Sequence, residues 1–430
     1  MSTPSHAHNT KPTSDGWGRK VRMAGVHTFR SIDDWIYEHL TRRTRVLFVL
    51  SDGYGFACQA PVIRALLDCP DVRVRTTSDR DLSVDQIEFA NESDHQLYAS
   101  LALPTWRARF SKWHMVVDTH LNGFYPARNG LRIYMHHGPG FGILGNKIAI
   151  MKQCDIFCGL SEIEGQWFER IEPSLFGKQR AFFPVGFPKN DALYRREHDR
   201  KALLESLRLP DRTTLLITSH WQKSSILRRL GAEPFRRLTQ AFPDYNVIQT
   251  GHPWLWQPNH NVPAQWQHAL LEELREVEMH HGHARFIQSS DVESLLAAAD
   301  LLVGDYSSVM TTYSLLDRPI VYFDEPNFEF AIPELKNVFV NAAHTFNQID
   351  ELILACRTAL SNPEDKAPGR AVMRATFNAN EGRAGEYMAN LIRHIGRTCT
   401  PLGMRWERVL SAAINPDRAA LEVESANEFT

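Results

Sequence analysis

The hydrophobic positions of this chain fall in short continuous runs, each closed by a cluster of Gly, Pro, Asp or Ser. Residues 44–50 form the first run, followed by Ser51-Asp52-Gly53-Tyr54-Gly55. A run apolar on both faces fits a buried strand, and the polar cluster after it fits a loop. Residues 59–67 then have helical spacing with Pro61 near the start, so the opening reads as strand, loop, helix. Residues 72–74, 115–117, 131–135 and 182–186 are the next strand candidates. Helical lengths between them predict a parallel, doubly wound sheet.

Phe187-Pro188-Lys189-Asn190-Asp191 closes this half as a polar turn, and a charged helix over 196–207 leads to Leu209-Pro210-Asp211, which reads as the linker. From Thr213 the pattern restarts, with strand candidates at 215–218, 245–249, 284–287, 301–303 and 319–323. Helical stretches follow at 350–360 and 381–394. At 430 residues and 43% hydrophobic, the chain is long enough for two cores. The expected divisions are a flexible tail over 1–30, a first Rossmann-like domain over 31–205, a second over 206–395 with terminal helices, and a peripheral segment over 396–430.

Charge and composition narrow the function. With 48 basic and 50 acidic residues, nothing favours a nucleic-acid partner by bulk electrostatics. Six cysteines in a chain this long do not make a disulfide framework, and Cys154 with Cys158 lacks a second pair for structural zinc. His280-His281-Gly282-His283 has no carboxylate ligand beside it, and no metal site is expected. The N-terminal residues hold no apolar signal segment, and the run at 46–50 is far short of the roughly 20 residues that span a bilayer. A cytoplasmic protein is expected, with a peripheral membrane contact left open. Neither a P-loop nor a GxGxxG fingerprint occurs.

Candidate chemistry sits where strands end. His136-His137-Gly138-Pro139-Gly140 follows the strand at 131–135. An imidazole that titrates near neutrality can take the proton of an attacking alcohol, which makes His137 the candidate base. His136 should point to the opposite side of the pleat. Gly138 and the glycines after it leave room for backbone donors to approach phosphate. In the other half, Gly304-Asp305-Tyr306-Ser307-Ser308 lies between a strand and a helix over 309–316. Ser307 or Ser308 would stand at the N-cap and meet a diphosphate, while Asp305 anchors the loop or meets a substrate hydroxyl. His252 of Gly251-His252-Pro253 is placed to balance charge on a phosphate as an imidazolium. Trp254 and Trp256 can stack on a base or an acceptor or else pack the loop, and Arg285 is a candidate partner for the diphosphate.

Taken in order, these pieces resemble the CDP-glycerol glycerophosphotransferase family, enzymes that build or prime teichoic-acid-like polyol phosphate polymers. The resemblance is carried by His137-Gly138, Gly186-Phe187-Pro188-Lys189-Asn190-Asp191, Gly251-His252-Pro253 and the run Ala299-Asp300-Leu301-Leu302-Val303-Gly304-Asp305-Tyr306-Ser307-Ser308. Leu316-Asp317-Arg318-Pro319-Ile320 and Phe323-Asp324 continue it. It implies an α/β protein of GT-B fold, with two Rossmann-like domains facing across a cleft and a CDP-polyol held mainly by the second. It also implies a base at His137, a donor-side histidine at His252 and a diphosphate turn at Ser307-Ser308. The implied reaction moves glycerol phosphate, or a related polyol phosphate, from CDP-glycerol to a hydroxyl of a lipid-linked or soluble glycan or a polyol-phosphate acceptor, at the inner face of the cell membrane, with CMP released and no cofactor. The chain departs from the family pattern at Pro139-Gly140-Phe141-Gly142, which brings no lysine. It departs again at Ser219-His220-Trp221-Gln222, where a Pro-Thr-Trp-Arg-like segment is usual. The rival readings are a GT-B glycosyltransferase using a nucleotide sugar and a noncatalytic nucleotide- or glycan-binding protein. The oligomeric state is left open.

Overall fold

The computed structural model describes residues 43–398, apart from 81, 112, 121–129, 139–147, 150–151, 177–179, 260 and 289–290, together with Gly25 and Thr28. The expected tail over 1–30, the glycines at 140 and 142, and most of the segment over 396–430 lie outside the described residues. Two parallel six-stranded sheets make the frame. In the first, β1 (Thr44–Leu50), β2 (Val72–Ser78), β3 (Met115–Asp118), β4 (Leu131–Met135), β5 (Ile156–Gly159) and β6 (Ala181–Pro184) run in the order β2-β1-β3-β4-β5-β6. In the second, β7 (Thr214–Ile217), β8 (Asn246–Gln249), β9 (Ala284–Phe286), β10 (Leu301–Gly304), β11 (Ile320–Phe323) and β12 (His344–Phe346) run β12-β11-β10-β7-β8-β9. β3, β5, β7, β8, β10 and β11 are buried throughout, which is why their sequences show no apolar-polar alternation.

The differences from the sequence reading are local and have physical causes. The helix expected from residue 59 starts at Gly53 and runs to Leu67, with Pro61 inside it. Asp52 caps it by accepting the Gly55 N–H at 2.7 Å, so the polar cluster after β1 is the first helical turn and not a loop. β5 is missing from the sequence reading because four residues ending in glycine carry little periodicity. β12 is missing because this edge strand buries only Phe346.

Two helices belong to the opposite half from the one their sequence position suggests. Arg200–Ser206 packs on Val292–Ala298 of the second half, where Arg200 meets Asp300 at 3.0 Å and His198 Nδ1 meets Ser294 Oγ at 3.2 Å. The last helix, Ala384–Thr398, returns to pack on helix Gly53–Leu67 and on β1. The chain therefore crosses between halves twice, and one apolar cluster runs from Val46 and Phe48 of the first sheet through Met388 and Ile392 to Leu302 and Tyr322 of the second.

The first crossing is made by Gly186 to Asp191. Gly186 has φ +91°, and a Cβ on it would lie 2.1 Å from the Ala379 carbonyl oxygen, so only glycine fits. Lys189 forms a buried ion pair with Glu293, and its ammonium lies 4.8 Å from the Tyr54 ring centroid. Asn190 donates to Asn378 Oδ1 at 3.3 Å. Asp191 accepts the N–H groups of Ala384 and Gly385 at 3.0 and 2.8 Å, closing the N-terminus of the last helix. Among the described residues, no helix is long and apolar enough to cross a membrane. Replacing Asp191 with Ala removes this cap and should lower stability by about 1–2 kcal/mol, read as a fall in the urea midpoint. An unchanged midpoint would mean that the last helix is held by its apolar face alone.

Candidate active site

The residues that follow β4 meet those that follow β10. A Cβ built on Gly138 would sit 3.5 Å from Ser308 Oγ, so the C-terminal edges of the two sheets face each other at this point. Parallel sheets gather loops and open backbone groups at that edge, which is where such folds take ligands.

On the first wall, His137 is exposed and its Nδ1 lies 2.9 Å from the Thr119 carbonyl oxygen. A carbonyl only accepts, so Nδ1 carries the proton and the lone pair of the neutral ring is on Nε2. The ring of His120 stacks on that of His137, with centroids 4.3 Å apart and planes 15° apart. His120 is itself held by its Nδ1 contact to Thr119 Oγ1 at 2.8 Å and by its N–H on Asp118 Oδ1 at 2.8 Å. Gly55, in the first turn of helix Gly53–Leu67, leaves space for this pair: a Cβ there would lie 3.0 Å from Thr119 Oγ1 and 3.4 Å from His120 Cε1. His136 is buried on the far side of the strand and lies 3.1 Å from Glu164.

The second wall is organised by Asp305, which is fully buried at the end of β10. Its carboxylate accepts from Ser219 Oγ at 3.2 Å, from the His220 N–H at 2.9 Å and from the Ile226 N–H at 3.2 Å. Burial raises its pKa to about 6, against the pull of these donors. The side chain thus ties the turn after β7 to the turn after β10. The next turn, after β8, is zipped to it by His252 N–H donating to the Ser219 carbonyl at 2.9 Å. Gly251 permits that approach, since a Cβ there would meet Leu255 Cδ1 at 2.8 Å and Ser219 O at 3.1 Å.

His252 Nδ1 accepts the Trp254 N–H at 3.1 Å, which leaves the proton of the neutral ring on Nε2. Burial lowers its pKa to about 4. Burial thus disfavours the expected imidazolium, and the ring as held by this contact is a neutral N–H donor. Ser307 occupies the N-cap position of helix Ser308–Tyr313 but makes no capping bond. Its Oγ is buried without a partner, while its N–H donates to the Asp305 carbonyl at 2.7 Å. Tyr306 stacks on Phe328 at 3.6 Å between centroids and donates to Gln222 Oε1 at 3.3 Å.

The structure brings together His137, Gly138, His252, Asp305, Ser307 and Ser308, and sets Trp254 beside them. The Trp254 ring is half exposed, 4.9 Å from Trp221 and 5.6 Å from His252. Trp256 packs edge-on against Phe286 at 5.6 Å and against the second domain's core, with its ring edge beside Gly251. Arg285 is not a diphosphate partner. Its guanidinium donates to the carbonyls of Leu207, Arg208, Gly282 and Ala284, which precede β7 and open β9, at the end of the sheet remote from the cleft. Four of the five guanidinium N–H groups are thus taken by carbonyls. Sequence reasoning gave no site role to His120 or His220. Both follow strands already identified, so the rule that ligands meet strand ends was the available signal. Among the described residues, no group of three His, Cys, Asp or Glu side chains is placed to hold a metal ion.

Comparison with known proteins agrees with this geometry. The family model described as CDP-glycerol:poly(glycerophosphate) glycerophosphotransferase matches residues 35–393. A teichoic acid poly(glycerol phosphate) polymerase of Bacillus spizizenii is 26% identical over 176 residues, 39% of this chain and 40% of that protein. A teichoic acid ribitol-phosphate primase of the same species is 28% identical over 165 residues, 36% of this chain and 38% of that protein. These matches span about two-fifths of each curated relative. Among solved structures, the wall teichoic acid polymerase TagF superposes with a TM-score of 0.59 at 14% identity, covering 88% of this chain and 96% of that one. A UDP-N-acetylglucosamine 2-epimerase gives 0.52 at 14% identity, over 83% and 97%. At such identities the structural likeness shows the fold, which is GT-B. The family match extends over most of the chain and takes in both walls of the cleft, and the chain belongs to the CDP-glycerol:poly(glycerophosphate) glycerophosphotransferase family.

Proposed function

We propose that this protein transfers glycerol phosphate, or a related polyol phosphate, from a CDP-linked donor to a hydroxyl of a glycan or polyol-phosphate acceptor. The observation that carries this reading is the pair of histidines on facing walls with opposite tautomers. His137 offers a lone pair at Nε2, and His252 offers an N–H there. One ring is set to take a proton and the other to donate to an oxyanion, as in-line phosphoryl transfer requires.

In the reaction, the acceptor hydroxyl oxygen attacks the β-phosphorus of CDP-glycerol as His137 Nε2 takes its proton. The bond between the β-phosphorus and the bridging oxygen breaks, and CMP leaves with that oxygen. His252 Nε2–H, the Ser307 and Ser308 hydroxyls and nearby amides stabilise the charge that moves onto the diphosphate. The stacked His120 and the Thr119 carbonyl fix the plane of the base and favour its protonated form once the transfer has occurred. Asp305 acts at one remove, by holding the turn that carries His220 and Ser219.

The test is incubation of the protein with CDP-glycerol, CDP-ribitol and several nucleotide sugars over lipid-linked and soluble saccharides, recording CMP release and product mass together. A polyol-phosphate increment is expected. A sugar increment would make the protein a glycosyltransferase, and tight binding without transfer to any acceptor would favour a binding protein. His137→Ala should lower kcat by about 10²–10⁴-fold while leaving CDP-glycerol affinity close to wild type. Wild-type turnover by that variant would reject the base. Ser307→Ala with Ser308→Ala should weaken donor binding about tenfold, read by calorimetry, because two hydrogen bonds to phosphate are lost. Asp305→Ala leaves buried amides without an acceptor and should cost roughly 1–3 kcal/mol in unfolding experiments. A smaller loss would mean that the turn is held by its other contacts.

A further inference from the structure

We propose that His220 is a second imidazole of the donor half-site, donating from Nε2–H to the nucleotide diphosphate together with His252. This rests on the phosphate-transfer reading of the cleft and adds a residue to it.

The argument begins with how the two histidines are built. His220 follows β7 and His252 follows β8, and these strands are neighbours in the second sheet. Each ring accepts, at Nδ1, the N–H of the residue two places ahead: Gln222 N at 3.3 Å for His220 and Trp254 N at 3.1 Å for His252. A backbone N–H can only donate, so both neutral rings carry their proton on Nε2. The bond from His252 N–H to the Ser219 carbonyl locks the two turns in register, and the ring centroids are 5.6 Å apart. The same local device is thus used twice, side by side, and yields two neighbouring ring N–H donors.

Buried hydroxyls in the same loops point to a polar ligand. Ser307 Oγ, Thr218 Oγ1 and Ser225 Oγ are each buried without a hydrogen-bond partner. Thr218 and Ser225 lie on the two sides of His220 in the chain, and Ser307 lies two residues beyond Asp305, which holds the His220 N–H. A buried hydroxyl without a partner is one that a polar ligand can satisfy, and Ser307 stands in the turn that Asp305 ties to the turn of His220. The chemistry also fits the departure in this segment. Ser219-His220-Trp221-Gln222 lacks the arginine of the Pro-Thr-Trp-Arg-like pattern, and a histidine stands where that pattern has threonine.

The protonation state follows from the surroundings. The titratable groups against His220 are His252, Tyr306 at 5.5 Å between ring centroids, and Asp305, whose carboxylate takes the backbone N–H. Burial, with His252 adding to it, lowers His220 to about 3, and burial lowers His252 to about 4, so burial favours the neutral form of both rings. A further proton would have to enter at Nδ1, which in both rings already accepts a backbone N–H. Both rings therefore meet the diphosphate as neutral N–H donors from Nε2.

The experiment is calorimetry of the full chain with CDP-glycerol, whose diphosphate carries no ionisable proton near neutrality, at pH 6.5 in two buffers of different ionisation enthalpy. Wild type should bind without net proton uptake, as two neutral donors require. His220→Thr should bind about ten- to a hundredfold more weakly and should raise KM for the donor more than it lowers kcat. His220→Gln, which keeps a neutral N–H and a similar volume, should recover some affinity. Wild-type affinity in both variants would overturn the proposal while leaving the phosphate-transfer reading intact. Net proton uptake on binding by wild type would also overturn it, even if neither variant folds. Failure of wild type to bind CDP-glycerol at all would instead remove the reading on which the proposal rests.

Discussion

The buried ion pair between Lys189 and Glu293 joins the two halves of this protein, and the active cleft depends on the placement that it and its neighbours set. Burying two opposite charges contributes little net stability, because their desolvation offsets most of their attraction. What such a pair does supply is specificity, since any displaced arrangement leaves a charge buried and alone. Asn190 and Asp191, the next two residues, bind the turn after helix Ala367–Phe377 and the start of helix Ala384–Thr398. A single six-residue segment thus fixes the second domain, the crossing helices and the first sheet relative to one another.

Within that frame the cleft uses main-chain geometry to prepare side chains. The Thr119 carbonyl sets the tautomer of His137, and main-chain N–H groups set those of His220 and His252. Imidazole rings otherwise exchange tautomers freely, so these contacts decide which wall accepts a proton and which donates one. Asp305 works in the same manner: its fully buried carboxylate is occupied by two amides and a hydroxyl, and so does not repel a diphosphate as an exposed carboxylate would. The cost of burying it is met by the donors that need an acceptor there.

Much of the fold was legible because parallel strands buried on both faces must be short, apolar and closed by turns. Leu131–Met135 could be read to its ends on that basis. The same physics hid β12, an edge strand with one buried residue, and misplaced the start of helix Gly53–Leu67, whose polar first turn imitates a loop. Arg285 was misread for a different reason. A cation beside a strand is equally suited to phosphate or to carbonyls, and nothing local reveals which end of the sheet its guanidinium reaches.

The ordered motifs of the chain carried the resemblance to the family, and by itself the sequence determined the two repeating strand-helix halves and the strand-end positions of His137, His252 and Ser307. These are consequences of local periodicity and of turn chemistry, which act over a few residues. Only the tertiary structure decided which helix packs on which half, that Gly138 meets Ser308, that His120 stacks on His137, and that His220 stands beside His252. Such pairings join residues far apart in the chain. They are fixed by strand order, by buried polar contacts between loops and by close packing, none of which leaves a periodic trace along the chain.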